Sequence, residues 1–393
     1  MTDILVTEVS DPLSLLLKVG VDPASVPIFE RKGKFISLMI YNVDVIAANV
    51  IKQEMLAAGA DAAVNKHAIT HKIQKTSVLT FGTIAQHIKL IGKLSKMHYW
   101  KLDQIADMIQ KCLFKDQVRS IDLPSGRKLI FDRTLIMGIV NVTPDSFYSK
   151  SRVEKDKVID YTASMIKNGV DIIDIGAEST RPGSERVSLE EELNRAIPAI
   201  EAIRKTFDIP ISIDTYKSEV AKQAIMAGAD IVNDISALRF DEKMIDVISE
   251  YKPAVVLMHM KGEPKTMQQN PYYEDVIEEL LYFFNERLSM LGKIGLMDKV
   301  IIDPGIGFGK RLSDNLQILK RIDEFKTFKV PILVGHSRKS FIGALLNNVP
   351  PEERLIATLA VTAYCTMKKV DIIRIHDVAE NSQVVRMISH LVR

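Results

Sequence analysis

From residue 135 to the C-terminus, short apolar runs alternate with helix-like stretches. The runs begin near 135 (LIMGIVNV), 171 (DIIDIG), 210 (PISID), 231 (IVND), 254 (AVVLMHM), 300 (VIIDPGI), 331 (PILVGHS) and 371 (DIIRIHD). Between and after them, helix-like stretches lie at 156–168, 190–206, 218–227, 274–291, 313–325, 351–367 and 379–392. Each run is apolar throughout, as a parallel strand buried on both faces should be. Eight strands with their helices make a (β/α)8 TIM barrel, and 135–393 is the right length for one. A doubly wound open sheet is the competing topology, and it usually needs fewer strands.

The polar residues sharpen this. Asn141, Glu178, Asp214, Asn233, Asp234, His259, Asp303, His336 and His376 stand at or just after the C-terminal ends of the runs. In a barrel that end is the catalytic face. Any one of them could be a cap for the next helix. Together they are expected to converge on one mouth. Arg374 and His376 alternate onto one face of the last strand, so both should point inward.

The first 120 residues read differently. A strand over 34–44, a helix over 45–58, a strand over 77–81 and a helix over 84–96 suggest a small α/β domain. It carries no nucleotide loop and no metal cluster. Residues 1–120 are thus read as an N-terminal accessory domain, and 121–393 as the catalytic barrel.

The 52 Lys and Arg against 50 Asp and Glu give no general drive toward nucleic acid or anionic membrane, so neither is expected as a partner. Two cysteines, Cys112 and Cys365, form no ligand cluster. The start of the chain lacks a basic n-region, and no apolar run is long enough to span a bilayer. A cytoplasmic protein is expected.

Several strand-end segments carry chemistry. In 303–309 (DPGIGFG) the acid matters more than the glycines, because a carboxylate can accept two hydrogen bonds from an amidine-like edge such as a 2-amino-4-oxopyrimidine. Gly335-His336-Ser337-Arg338-Lys339-Ser340-Phe341 offers two cations and two hydroxyls for an anion or an electron-rich ring. Asn141-Val142-Thr143-Pro144-Asp145-Ser146-Phe147 is a turn that leaves Phe147 on a loop. Glu178-Ser179-Thr180-Arg181-Pro182-Gly183 joins a cation to a Pro-Gly turn.

Taken in order, NVTPDSF, GAESTRPG, IDTYKSEVAKQA, GADIVNDIS, HMKGEPKTMQ, DPGIGFGK, GHSRKSFIG and RIHDV closely resemble the dihydropteroate synthase family. The resemblance covers about two-thirds of the chain. It implies a transferase of folate biosynthesis that joins 6-hydroxymethyl-7,8-dihydropterin diphosphate to p-aminobenzoate and uses Mg²⁺. By this resemblance Asp214, Asn233, Asp303 and Lys339 hold the pterin ring, with Met258 and Phe308 near its faces. Asn141, Arg374 and His376 hold the diphosphate, and Asn141 is also a Mg²⁺ ligand. Asp145, Phe147, Thr180, Arg181, Pro182, Lys339 and Ser340 belong to loops that close over p-aminobenzoate. Lys339, Asp145, Arg374 and His376 are the expected catalytic set. The family barrel often pairs through its outer helices, so a homodimer is expected.

Two departures stand out. Ala237-Leu238 replaces an expected Gly-Gly, and Ile375 stands where Val is usual. A methyltetrahydrofolate-binding methyl transferase shares the barrel but handles no diphosphate. A non-catalytic pterin-binding protein would be expected to lack Asn141 or a loop cation.

Overall fold

A computed structural model describes residues 6–9, 11–70, 72–142, 152–178 and 187–392. The chain divides into two units, Met1–Lys115 and Asp116–Arg393. The division falls a few residues ahead of 120 because the connecting residues belong to the barrel. The Val118 N–H donates to the Lys329 carbonyl at 2.8 Å.

In the first unit β1 (Phe35–Asp44), β2 (Asp61–Val64) and β3 (Lys75–Thr83) form an antiparallel sheet in the order β1-β3-β2. Helices Val45–Ala57, Ile84–Leu94 and Leu102–Phe114 bury Ile51, Met55, Leu90 and Leu102 with Val43, Ala62 and Val78. The first helix starts where the Asp44 carboxylate accepts the Ile46 N–H at 2.8 Å. The second starts on a capping box of Thr83 and Gln86. The strand β2 and the helix Leu102–Phe114 were not expected from the sequence.

The second unit opens with a hairpin, β4 (Ser120–Asp122) and β5 (Lys128–Ile130). Eight parallel strands follow: β6 (Leu135–Asn141), β7 (Ile172–Gly176), β8 (Ile211–Asp214), β9 (Ile231–Asp234), β10 (Ala254–Met258), β11 (Val300–Asp303), β12 (Leu333–Gly335) and β13 (Ile372–Ile375). Their order runs from β11 back to β6 and then to β13 and β12. A parallel bridge between Ile302 and Ile332 joins the two ends. The (β/α)8 barrel read from the apolar runs is the observed fold.

Strand parity sorts the side chains. Ile173, Ile175, Ile211, Ile213, Val255, Leu257, Ile373 and Ile375 face outward into one core with Ala196, Ile200, Leu280 and Phe284 of the surrounding helices. Met137, Ile172, Ile231, Val256, Ile301, Leu333 and Ile372 have the other parity. They share a separate core with Ile121, Leu123, Leu129 and Phe131 of the hairpin segment. The hairpin therefore packs against the lower interior of the barrel. Further along the same inward rows come Asn141, Asp174, Asp214, Asn233, Met258, Asp303, Gly335 and Arg374. One end of the barrel interior is apolar and the other polar.

The helices after β9 (Met244–Tyr251) and β12 (Ser340–Leu345) are short, of 8 and 6 residues, and too brief to show as a helical period in the sequence. The stretch expected over 313–325 breaks into Leu312–Lys320 and a 3-10 turn, Ile322–Phe328.

Candidate active site

The floor of the polar end is built by β7, β8 and β13. Arg374 Nε donates to Asp174 Oδ2 at 2.6 Å, and Nη2 donates to Asp214 Oδ2 at 2.6 Å. Asp174 is wholly buried and Asp214 nearly so. Burial raises the Asp214 carboxyl to about 7, against the pull of Arg374 and with the help of the Asp174 charge. Burial opposes the Arg374 charge, yet the two carboxylates hold its pKa above the usual value. Asp174 Oδ1, Asp214 Oδ1 and Ser212 Oγ are buried without a hydrogen-bond partner among the described residues.

The loop after β11 forms one wall. Asp303 Oδ1 accepts the Gly305 N–H at 2.7 Å, and burial raises its carboxyl against the nearby Lys339. Gly305 has φ +69°, and a Cβ there would lie 1.9 Å from the His259 carbonyl oxygen. Only glycine permits that approach. Lys310 at the loop's end is buried, with Nζ 3.1 Å from His259 Nδ1, 3.2 Å from the His259 carbonyl and 3.1 Å from the Phe308 carbonyl. Burial lowers its ammonium to about 7. The lysine ties the loop to the end of β10.

Lys339 reaches in from the loop after β12. Its Nζ donates to the Ile306 carbonyl and lies 4.4 Å from the centre of the Phe308 ring. The residue as a whole is half-buried, but its ammonium lies inside the wall. Burial lowers it to about 8, while Asp303 favours the charge. Phe308, Met258, Met260, Met267 and Ile235 form an apolar cluster beside it. Asn233, at the end of β9, is almost fully buried.

His376 lies at the end of β13, its Nδ1 3.0 Å from Ser337 Oγ. Asn141 ends β6, and its Oδ1 would be 3.3 Å from a Cβ at Gly176. Asp214 Oδ2 would be 4.0 Å from that same point, which puts Asn141 and Asp214 on neighbouring parts of the floor. Ser340 is exposed at the start of its helix. The expectations for Asp145, Phe147, Thr180, Arg181 and Pro182 lie outside the described residues.

Not every strand-end residue turns to the mouth. His336 is buried against the helices, with Nε2 2.8 Å from Thr362 Oγ1, and burial lowers it to about 4. Asp234 folds its own loop, accepting from the Ser236 N–H, the Ser236 hydroxyl and the Leu238 N–H at 2.7 Å each. Arg338 does not join Lys339; it forks onto Asp377 at 2.8 Å through both Nε and Nη2. Glu178 pairs with Lys217 at 2.7 Å and with the Tyr216 hydroxyl at 3.0 Å. The departure at 237–238 has a conformational cost. Ala237 (φ 51°) and Leu238 (φ 65°) are both left-handed, where glycine is favoured and other residues are strained by about 1–2 kcal/mol.

Two residues were missed. Asp174 could have been found as an acid inside an apolar strand run, on the same parity as Gly176. Lys310 ends a motif whose acid drew the attention; nothing in the sequence marks it as buried.

The polar end of the parallel barrel thus gathers acids, an amide, a buried lysine and a methionine–phenylalanine wall. Residues 137–376 match the family described as pterin binding enzyme. A dihydropteroate synthase of Synechocystis sp. is 44% identical over 276 residues, covering 69% of this chain and 95% of that one. The structure of Xanthomonas albilineans dihydropteroate synthase with 4-aminobenzoic acid superposes with a TM-score of 0.64 at 36% identity, covering 70% of this chain and 98% of that one. The chain belongs to the pterin-binding enzymes, as one of the dihydropteroate synthases. A probable bifunctional folylpolyglutamate synthase/dihydropteroate synthase of Halobacterium salinarum is 36% identical over 387 residues. That match takes in 97% of this chain, the first unit included, and 46% of the other protein.

Proposed function

We infer that the dihydropteroate synthase reaction of this chain runs on the polar end of the barrel. In that reaction 6-hydroxymethyl-7,8-dihydropterin diphosphate and p-aminobenzoate give dihydropteroate and diphosphate. Asp214, Asn233, Asp303 and Lys339 hold the pterin ring, with Met258 and Phe308 beside its faces. The observation that carries this is the pair of buried acids on the inward rows. Asp214 keeps a carboxylate oxygen without a partner among the described residues. A donor-rich heterocycle edge satisfies such acceptors.

The carbon–oxygen bond to diphosphate breaks, and the electron pair leaves with the diphosphate. A delocalised pterin cation is left, which the arylamine attacks before losing a proton. Acids beneath the ring favour that cation, and Arg374 and His376 lie on the strand that faces the leaving group. No nucleophilic side chain is required. Asp145, Phe147, Thr180, Arg181, Pro182 and Ser340 serve p-aminobenzoate in this reading, on the strength of their motifs.

The donor set fits Mg²⁺. Asn141 offers a hard amide oxygen, and Mg²⁺ commonly takes one or two protein oxygens together with substrate phosphates and waters. Among the described residues there is no group of three His, Cys, Asp or Glu that could hold a metal; Asn141 would hold the ion together with diphosphate oxygens and waters. When bound, the ion neutralises charge on the leaving diphosphate.

The test mixes the purified protein with both substrates and Mg²⁺ and measures dihydropteroate. Absence of product overturns the reading. EDTA treatment and Asn141→Ala should each lower turnover at least tenfold. Near-normal turnover in both would remove the metal assignment.

The first unit is an accessory domain that the chemistry does not need, since every motif lies after residue 134. Helix Leu355–Met367 exposes Ile356 and Met367, an apolar stripe suited to a homodimer. A truncated chain beginning at Asp116 should remain active and dimeric by light scattering. A folded but inactive barrel would place part of the site in the first unit. A cytoplasmic setting is part of this reading, on the sparse cysteine content of the sequence; no helix among the described residues is long and apolar enough to cross a membrane.

A further inference from the structure

Asp174 has no part in the reaction as set out above. It lies in the middle of β7, wholly buried, on the inward row two residues before Gly176. An arginine beside a single carboxylate frequently closes its fork on both oxygens, although Arg204 meets Asp230 through Nη2 alone and spends its other nitrogens on the Gly228 and Ile209 carbonyls. This chain does so repeatedly: Arg311 holds Asp314 through Nε at 2.8 Å and Nη2 at 2.7 Å. Arg338 grips Asp377 through Nε and Nη2, and Arg133 grips Asp171 through Nη1 at 2.9 Å and Nη2 at 2.6 Å.

Arg374 behaves differently. Its Nε goes to Asp174 and its Nη2 to Asp214, one oxygen from each. The same two nitrogens would otherwise embrace Asp214 alone, as those of Arg338 embrace Asp377. With the two divided, Asp214 Oδ1 is buried and has no hydrogen-bond partner among the described residues.

We infer that Asp174 is a positioning residue: by taking the Nε side of the guanidinium it stops Arg374 from closing on both oxygens of Asp214, and so keeps Asp214 Oδ1 open to the pterin edge. The inference rests on the pterin-binding role proposed for Asp214. Without Asp174 the guanidinium swings onto Asp214, and the acceptor that the heterocycle needs is used up inside the protein. The floor stays intact and is blocked by its own ion pair.

The test is calorimetric titration with 6-hydroxymethylpterin, alongside steady-state kinetics. Asp174→Ala should raise the pterin Kd at least tenfold and leave the KM for p-aminobenzoate within twofold. Asp174→Asn keeps a neutral acceptor for Nε and should fall between Asp174→Ala and the unaltered protein; it carries the test if Asp174→Ala fails to fold. In an Arg374→Met background the same Asp174 substitutions should change the pterin Kd by less than twofold, since the competing fork is gone. Pterin affinity kept within threefold in Asp174→Ala would overturn the inference. So would a loss that persists in full without Arg374, which would mean Asp174 acts on the ring or the fold directly. If the unaltered protein binds no pterin, the reading of the site fails first and the inference with it. If it binds pterin and the variants match it, only the inference fails.

Discussion

Lys339→Ala should lower turnover by about 100- to 1,000-fold, the usual effect of removing one pre-placed donor from a site that stabilises charge. Its melting temperature should barely move. The Lys339 side chain contributes little to either barrel core, and its hydrogen bond is to the Ile306 carbonyl at the rim. Part of the loss would come through Asp303, whose carboxyl the lysine helps to keep ionised. The direction with pH follows. Burial lowers the ammonium to about 8, so the charged form declines as pH rises through that value. Turnover should fall on the alkaline side in the unaltered enzyme, and that limb should vanish in Lys339→Ala. A variant with unchanged melting temperature and unchanged activity would sink the role given to Lys339.

The other large effect is at Asp303. Asp303→Asn should weaken pterin binding by about 2–3 kcal/mol, because a charge-assisted hydrogen bond is lost and an amide donor now faces a donor-rich edge. The amide can still accept the Gly305 N–H, so the turn that Asp303 Oδ1 holds should survive. Calorimetry with a pterin ligand separates the two roles. Unchanged affinity would leave Asp303 as a turn residue only. A loss of affinity together with a large drop in melting temperature would show that the turn had collapsed.

The barrel was legible because its strands are buried on both faces, so their sequences are apolar up to the polar end, Asp174 in β7 and Ser212 in β8 apart. Strand-end acids and amides were legible for the same reason: Asp214, Asn233 and Asp303 break an apolar run. What the sequence could not show was direction after the strand ends. His336 follows β12 and Asp234 ends β9, as close to the strand ends as Asn233 and Asp303, yet one residue of parity turns His336 toward Thr362 and Asp234 into its own loop. Arg338 and Lys339 are neighbours, and the left-handed backbone at Arg338 sends them to different partners. The role of Asp174 was hidden because it depends on Arg374, 200 residues away in the chain.

The hairpin of β4 and β5 has a kinetic meaning. With Ile121, Leu123, Leu129 and Phe131 packed against the lower interior rows, the described residues close the apolar end of the barrel, and the polar end is the side from which reactants reach the floor. On the proposed site, traffic through that end is a queue. The reactant that binds against the floor must enter before the one that binds nearer the rim, and it cannot leave while the second remains. Order of addition is then a matter of depth rather than of affinity. A molecule lodged at the rim traps whatever lies beneath it.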